Sequence, residues 1–160
     1  MELAADSTSE GAGWLLQGTG RQRLVVCERT GTWAVALRRE LDERVRVHET
    51  RSLGQCWQVL ADAPASFLVV ELTDDNVDAL LERLIWHQRD FPLARLAVVA
   101  ERGLAAYEWL VREAGAVHFC CSPRRLKPLA DLACRHLELI PSARQTLVER
   151  IWAELPWGEE

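Results

Sequence analysis

The sequence predicts an α/β domain in which one parallel β-sheet is covered by helices on both faces. Three observations carry this reading. In residues 67–72 apolar side chains run straight into the carboxylates Glu71, Asp74 and Asp75, the pattern of a strand buried on both faces that emerges at a polar edge. Further short apolar or alternating runs occupy residues 23–27, 45–49, 96–100 and 117–121. Between them apolar residues recur at helical spacing, and the alternation repeats about every 22 to 25 residues, as expected where crossover helices join parallel strands. Ligands and chemistry in such sheets gather beyond the carboxyl ends of the strands, so residues 71–75 mark the edge where a site is expected.

Residues 1–20, rich in Gly, Ser, Thr and Ala, bury too little to repay their own ordering and are expected to form a flexible arm. The domain is placed at residues 21–140. Its first strand, residues 23–27, leads to a helix capped by Thr30 or Thr32, with Trp33, Leu37 and Leu41 along one face. Residues 45–49 alternate apolar and polar, which suits a strand near a sheet edge. Ser52 opens a second helix carrying Leu53, Cys56, Trp57 and Leu60, and Pro64 forces its end. After the central strand, Asn76 is expected to cap a third helix whose inward stripe is Val77, Leu80, Leu81, Leu84 and Ile85.

Residues 96–100 form an apolar strand. A fourth helix is expected from Leu104 to Ala114, with Gly115 as its left-handed terminator. Residues 117–121 make the fifth strand, and Ser122-Pro123 turns the chain into a last helix with Leu126, Leu129, Ala133, Leu137 and Ile140 along one face. Pro141 breaks that helix. Ser142 and Gln145 then fit a capping box for a C-terminal helical extension, residues 141–160, whose apolar side carries Leu147, Ile151, Trp152 and Leu155. That side is too costly to leave wet, so it is expected to pack on its own domain or on a partner.

Composition excludes several functions. The 160 residues are 49% hydrophobic and 27% charged, an ordinary soluble globular balance. No apolar run approaches the roughly 20 residues that span a bilayer, and the first residues lack signal-peptide character, so a cytoplasmic location without membrane contact is expected. The net charge of −5, with basic residues dispersed, argues against nucleic acid as a partner. The local group Arg124, Arg125 and Lys127 reads as a solvated helix start. The five cysteines show no CxxC or Cys/His spacing and read as reduced core residues, Cys120 and Cys121 facing opposite sides of their strand. The four histidines, His48, His87, His118 and His136, lack metal-ligand spacing, and no phosphate loop follows the first strand, so no metal or cofactor is expected.

The order of elements, the Gly115-Ala116-Val117-His118-Phe119 lead-in to the fifth strand and Pro123 after it resemble the receiver domains of bacterial two-component response regulators, across residues 23–139. The resemblance implies a flavodoxin-like doubly wound fold with strand order 2-1-3-4-5. It also implies where phosphoryl chemistry would lie: an aspartate ending strand 3, acidic residues ending strand 1 that hold Mg²⁺, a hydroxyl ending strand 4 and a lysine ending strand 5. Here those positions are Glu71, Cys27-Glu28, Ala100 and Ser122, with Pro123 retained. Only Glu28 keeps its chemical type, and Glu71 carries its carboxylate one methylene too far for chemistry that depends on close placement.

The expectation is therefore a pseudo-receiver, a non-catalytic signalling or adaptor module that binds proteins. The alternative is an atypical receiver, or a protein that binds a small ligand or nucleotide through the strand-end carboxylates. The seven tryptophans are unusual in number. On the fourth helix, Leu104, Tyr107, Leu110, Val111 and Ala114 are expected inward and Ala105, Ala106 and Trp109 outward, two small residues beside an exposed aromatic. On the fifth helix Leu132, His136 and Leu139 are expected to fall off the buried stripe and extend the same patch. In receivers the helix 4, strand 5 and helix 5 face mediates contacts, so a protein partner or a homodimer is expected there.

Overall fold

Five short strands, β1 (Leu24–Cys27), β2 (Val47–Thr50), β3 (Phe67–Leu72), β4 (Arg95–Ala100) and β5 (His118–Cys120), form one all-parallel sheet in the order β2-β1-β3-β4-β5. The computed structural model describes residues 22–140. The expected N-terminal arm and the C-terminal helix with Leu147, Ile151, Trp152 and Leu155 lie outside the described residues. The flavodoxin-like architecture predicted from the sequence is the one observed.

Alternation along the strands splits the core into two layers, because successive side chains point to opposite faces. Val25, Leu68, Val70, Leu96 and Val98 meet α2 (Leu53–Asp62), α3 (Val77–Asp90) and α4 (Glu108–Glu113) through Leu60, Leu80, Leu84 and Val111. Leu24, Val26, Phe67, Val69 and Val99 meet α1 (Thr32–Arg38) and α5 (Lys127–Leu139) through Trp33, Leu37, Leu129 and Ala133. β2 is an edge strand with one fully buried residue, as its alternating sequence predicts.

Several local expectations are corrected. β2 starts at Val47 because the Val45 amide donates to Asp42 O at 3.0 Å, closing a turn. Neither Thr30 nor Thr32 caps α1; the cap position is Gly31, in the left-handed region at φ 88°, and its turn leaves the helix N–H groups to another residue. Asn76 does not cap α3 with its side chain. It instead clamps the β3–α3 turn, accepting from Thr73 N–H at 2.9 Å and donating to Glu71 O at 2.8 Å. Ser52 does cap α2, accepting from Gln55 N–H at 3.2 Å.

The inward stripe of α3 is centred on Leu80, Leu84 and His87, spaced i, i+4, i+7, which turns Ile85 outward to 61% exposure. His87 is tolerated in the core because its Nδ1 lies 2.6 Å from Leu84 O, and burial pushes its pKa down. The fourth helix begins as a 3₁₀ segment, Arg102–Tyr107, before becoming α4. Three residues per turn in place of 3.6 shift the phase of the apolar face, so Val111 is buried while Leu110, expected inward, is 41% exposed.

Candidate functional site

The carboxyl ends of β1, β3, β4 and β5 converge on one edge, and the register aligns Cys27 with Val70, Glu71 with Val99 and Leu72 with Ala100. The positions singled out from sequence therefore meet there: Cys27 and Glu28 after β1, Glu71 on β3, Ala100 at the end of β4, and Ser122 and Pro123 after β5. What each can do is set by what it touches.

Glu28 is turned inward and is only 2% exposed. Its Oε2 accepts from Trp33 N–H at 2.8 Å and its Oε1 from Ala34 N–H at 2.6 Å. Each oxygen thus accepts one amide of the first turn of α1, where a negative charge also meets the positive end of the helix dipole. Glu71 is answered likewise. Arg29 N–H donates to its Oε2 at 2.9 Å, and the Trp33 indole N–H donates to its Oε1 at 3.2 Å. Arg29 also reaches across the edge, its guanidinium 2.9 Å from Asp75 Oδ2.

Cys27 points to the opposite layer, against Cys56. The neighbouring Cys56 thiol lowers its pKa to about 7, against the opposing effects of burial and of Glu71 and Glu28. The same contact, with burial, pushes Cys56 up. Ala100 is buried and offers no hydroxyl. After β5, Ser122 N–H donates to Cys120 Sγ at 3.5 Å, so the turn is held by its own strand. Cys120 and Cys121 pack toward opposite layers as expected.

The Mg²⁺ implied by the receiver resemblance requires hard oxygen ligands with free lone pairs. The donors at this edge do not fit that need. Glu28 is buried and directed into the α1 backbone and Cys27 presents sulfur to the core, so of these matched acidic positions Glu71 alone keeps a half-exposed carboxylate. No three His, Cys, Asp or Glu side chains among the described residues converge in a metal-holding arrangement.

Above this floor lies an open cleft of about 410 Å³. Thr30, Thr32 and Trp33 form one wall, and Arg102, Ser122 and Arg124 contribute to the other. Glu71, Ala100, Glu101, Cys121 and Pro123 complete it. Arg29, Trp33, Arg102 and the role of Asn76 escape sequence reasoning. The one usable signal is Trp33, since a buried indole N–H needs an acceptor and the strand-end carboxylates were the nearest candidates.

Of the expected contact surface, Ala105, Ala106 and Trp109 are exposed, Trp109 at 72%, and Leu139 at 75%. Leu132 is half-buried against the α1/α5 layer. His136 is a correction: it turns to the sheet, its ring 5.6 Å from that of Phe67 and its Nε2 3.0 Å from Ala65 O, because the start of β3 offers both an aromatic edge and a free carbonyl. No helix among the described residues is long and apolar enough to cross a membrane.

No protein-family model matches the chain, and no curated protein does. Among solved structures it is similar to a CheY-like protein, TadZ, from Pseudomonas aeruginosa PAO1, at 17% identity and TM-score 0.56, over 77% of this chain and 98% of that one. It is also similar to a response regulator from Thermotoga maritima, at 16% identity and TM-score 0.58, over 74% of this chain and 99% of that one. Likeness at this identity is a likeness of fold, and with the parallel order β2-β1-β3-β4-β5 it shows that the chain has the CheY-like receiver fold.

Proposed function

We propose that this chain is a pseudo-receiver, a cytoplasmic signalling module that works by binding other proteins and transfers no phosphoryl group. The observation that carries the reading is the burial of Glu28, 2% exposed with each oxygen accepting an α1 amide, so that the acidic position after β1 faces its own helix. Phosphoryl transfer needs fixed positive charge around the transferred group. At the matching positions stand Ala100 in place of a hydroxyl and Ser122 in place of a lysine. Incubation with acetyl phosphate and Mg²⁺ is expected to leave the intact mass unchanged. A hydroxylamine-sensitive gain of one phosphoryl group that disappears in Glu71→Gln overturns the reading.

The partner surface belongs to the face of α4, β5 and α5. Trp109 stands outside the core beside exposed Ala105 and Ala106, and a large aromatic that a neighbour can approach closely is the kind of residue that dominates binding energy. A second copy of the chain is one partner that this face suits. Trp109→Glu is expected to keep the circular dichroism spectrum and thermal midpoint while weakening self-association or partner binding by about tenfold or more, since anchor residues cost upwards of about 2 kcal/mol when lost. Light scattering and pull-down on folded protein check this; unchanged assembly and unchanged partner recovery move the interface elsewhere.

A further inference from the structure

Two of the five cysteines lie together where β1 ends, in the core layer covered by α2, α3 and α4. Cys27 is the last residue of β1, and the register sets it level with Thr50, the last residue of β2. From Thr50 the chain turns at once into α2, capped by Ser52, and the Cys56 amide closes the first turn by donating to Ser52 O at 3.0 Å. This short link folds the start of α2 back over the end of β1. Cys27 and Cys56 thereby enter the same buried cluster, and each is the neighbour that acts most strongly on the other's ionisation.

The two thiols are unequal in ways that suit different roles. Cys27, at the strand end, is 5% exposed and ionises near neutrality, whereas Cys56 is fully closed to solvent and held protonated. A small reagent therefore meets a reactive thiolate first, with a second thiol behind it. The other cysteines lack this arrangement: burial pushes the Cys121 and Cys134 thiols up, and Cys120 lies in the opposite layer, holding the Ser122 amide. Thr50 adds a separate observation. Its hydroxyl is buried with no hydrogen-bond partner among the described residues, an arrangement that costs free energy in the reduced chain. Level with Cys27, it offers a partner for a polar, oxidised sulfur, and packing alone requires no hydroxyl there.

We propose that Cys27 and Cys56 form a reversible redox site, in which a small peroxide oxidises Cys27 and Cys56 closes an intrachain disulfide. The Cys27 thiolate attacks one oxygen of hydrogen peroxide, the O–O bond breaks and hydroxide leaves, giving a sulfenic acid. The proton that Cys27 released on ionising turns that hydroxide into water. The Cys56 sulfur then attacks the Cys27 sulfur: the S–S bond forms, the S–O bond breaks, and the Cys56 proton departs with the hydroxyl as a second water. Two thiols have lost two electrons and one peroxide has become two waters. A dithiol reductant reverses the bond by exchange. Such transient disulfides are the kind that sense redox state in a reducing compartment. The site ties β1 to α2 and stands whether or not the pseudo-receiver reading holds.

Cysteine mapping of the full chain tests it. Reduced protein is treated with stoichiometric hydrogen peroxide under native conditions, unfolded in N-ethylmaleimide, digested with trypsin without reductant and analysed by mass spectrometry. Peptides 24–29 and 52–83 are expected to appear joined, while Cys120, Cys121 and Cys134 carry the maleimide, and dithiothreitol is expected to restore both free thiols. In C56S, Cys27 is expected to stop at the sulfenic acid and be captured by dimedone. C27S is expected to slow peroxide oxidation at Cys56 by about tenfold or more, because the remaining thiol is buried and protonated. The wild-type mapping needs no variant and decides by itself. Free Cys27 and Cys56 after peroxide, oxidation of Cys27 to sulfinic acid without the joined peptides, or Cys56 oxidised as fast in folded C27S as in wild type overturns the proposal.

Discussion

Glu28→Ala is expected to cost about 3 to 5 kcal/mol, a large part of the roughly 5 to 15 kcal/mol that holds a domain of this size together. The loss has two sources. The buried amides of Trp33 and Ala34, now served at 2.8 and 2.6 Å, are left without an acceptor, at about 1 to 3 kcal/mol each. The positive end of α1 also loses its counter-charge. Trp33 then loses its anchor, and with it the indole that holds Glu71 Oε1 at 3.2 Å, so the damage reaches the floor of the cleft. Glu28→Gln keeps an acceptor oxygen for one amide and is expected to lose only about half as much. Urea denaturation reads the difference as a fall in midpoint at unchanged slope. An alanine variant that unfolds at the wild-type midpoint means that Glu28 does not cap α1.

Gly115→Ala is expected to cost about 1 to 3 kcal/mol. Gly115 lies at φ 113°, where a side chain is strained whatever the space, and a Cβ built there meets His87 Cε1 at 3.3 Å and Gln88 Nε2 at 2.8 Å. The glutamine can swing away, giving up its weak bond to Gly115 O at 3.4 Å. The His87 ring is buried and held to Leu84, so it cannot. Gly103 is the internal control. It has no left-handed φ and nothing within 4 Å of a built Cβ, so Gly103→Ala is expected to stay within about 0.5 kcal/mol of wild type, or to gain slightly. Equal thermal midpoints for the two variants would mean that the turn before β5 does not require glycine.

Much of the fold was legible in the sequence because it depends on patterns that a chain carries locally. Residues 67–72 and 96–100 lack a polar face, and a strand with no polar face is buried on both sides, which places helices above and below it. Ser52 and Gly115 announce their helix boundaries through side-chain chemistry and backbone freedom that are properties of single residues. The strand order came from likeness to receivers, since apolar runs say which strands are central and not which are neighbours.

The rest was decided by groups distant in sequence or by a change of helical pitch. Glu28, which likeness to receivers places in a degenerate acidic pocket, is a helix cap, because the left-handed Gly31 brings α1 back over the end of β1. His136 and Ile85 exchanged their expected exposures with what surrounds them: a free carbonyl at Ala65 and an aromatic edge at Phe67 drew one in, and the buried His87 turned the other out. The 3₁₀ start of the fourth helix moved Leu110 outward. A periodic pattern reports which side of one element faces the core, and that much the residues determine alone. Which acceptor meets which donor, and whether two arginines share one cleft, depends on where other elements end, and only the assembled sheet brings those ends together.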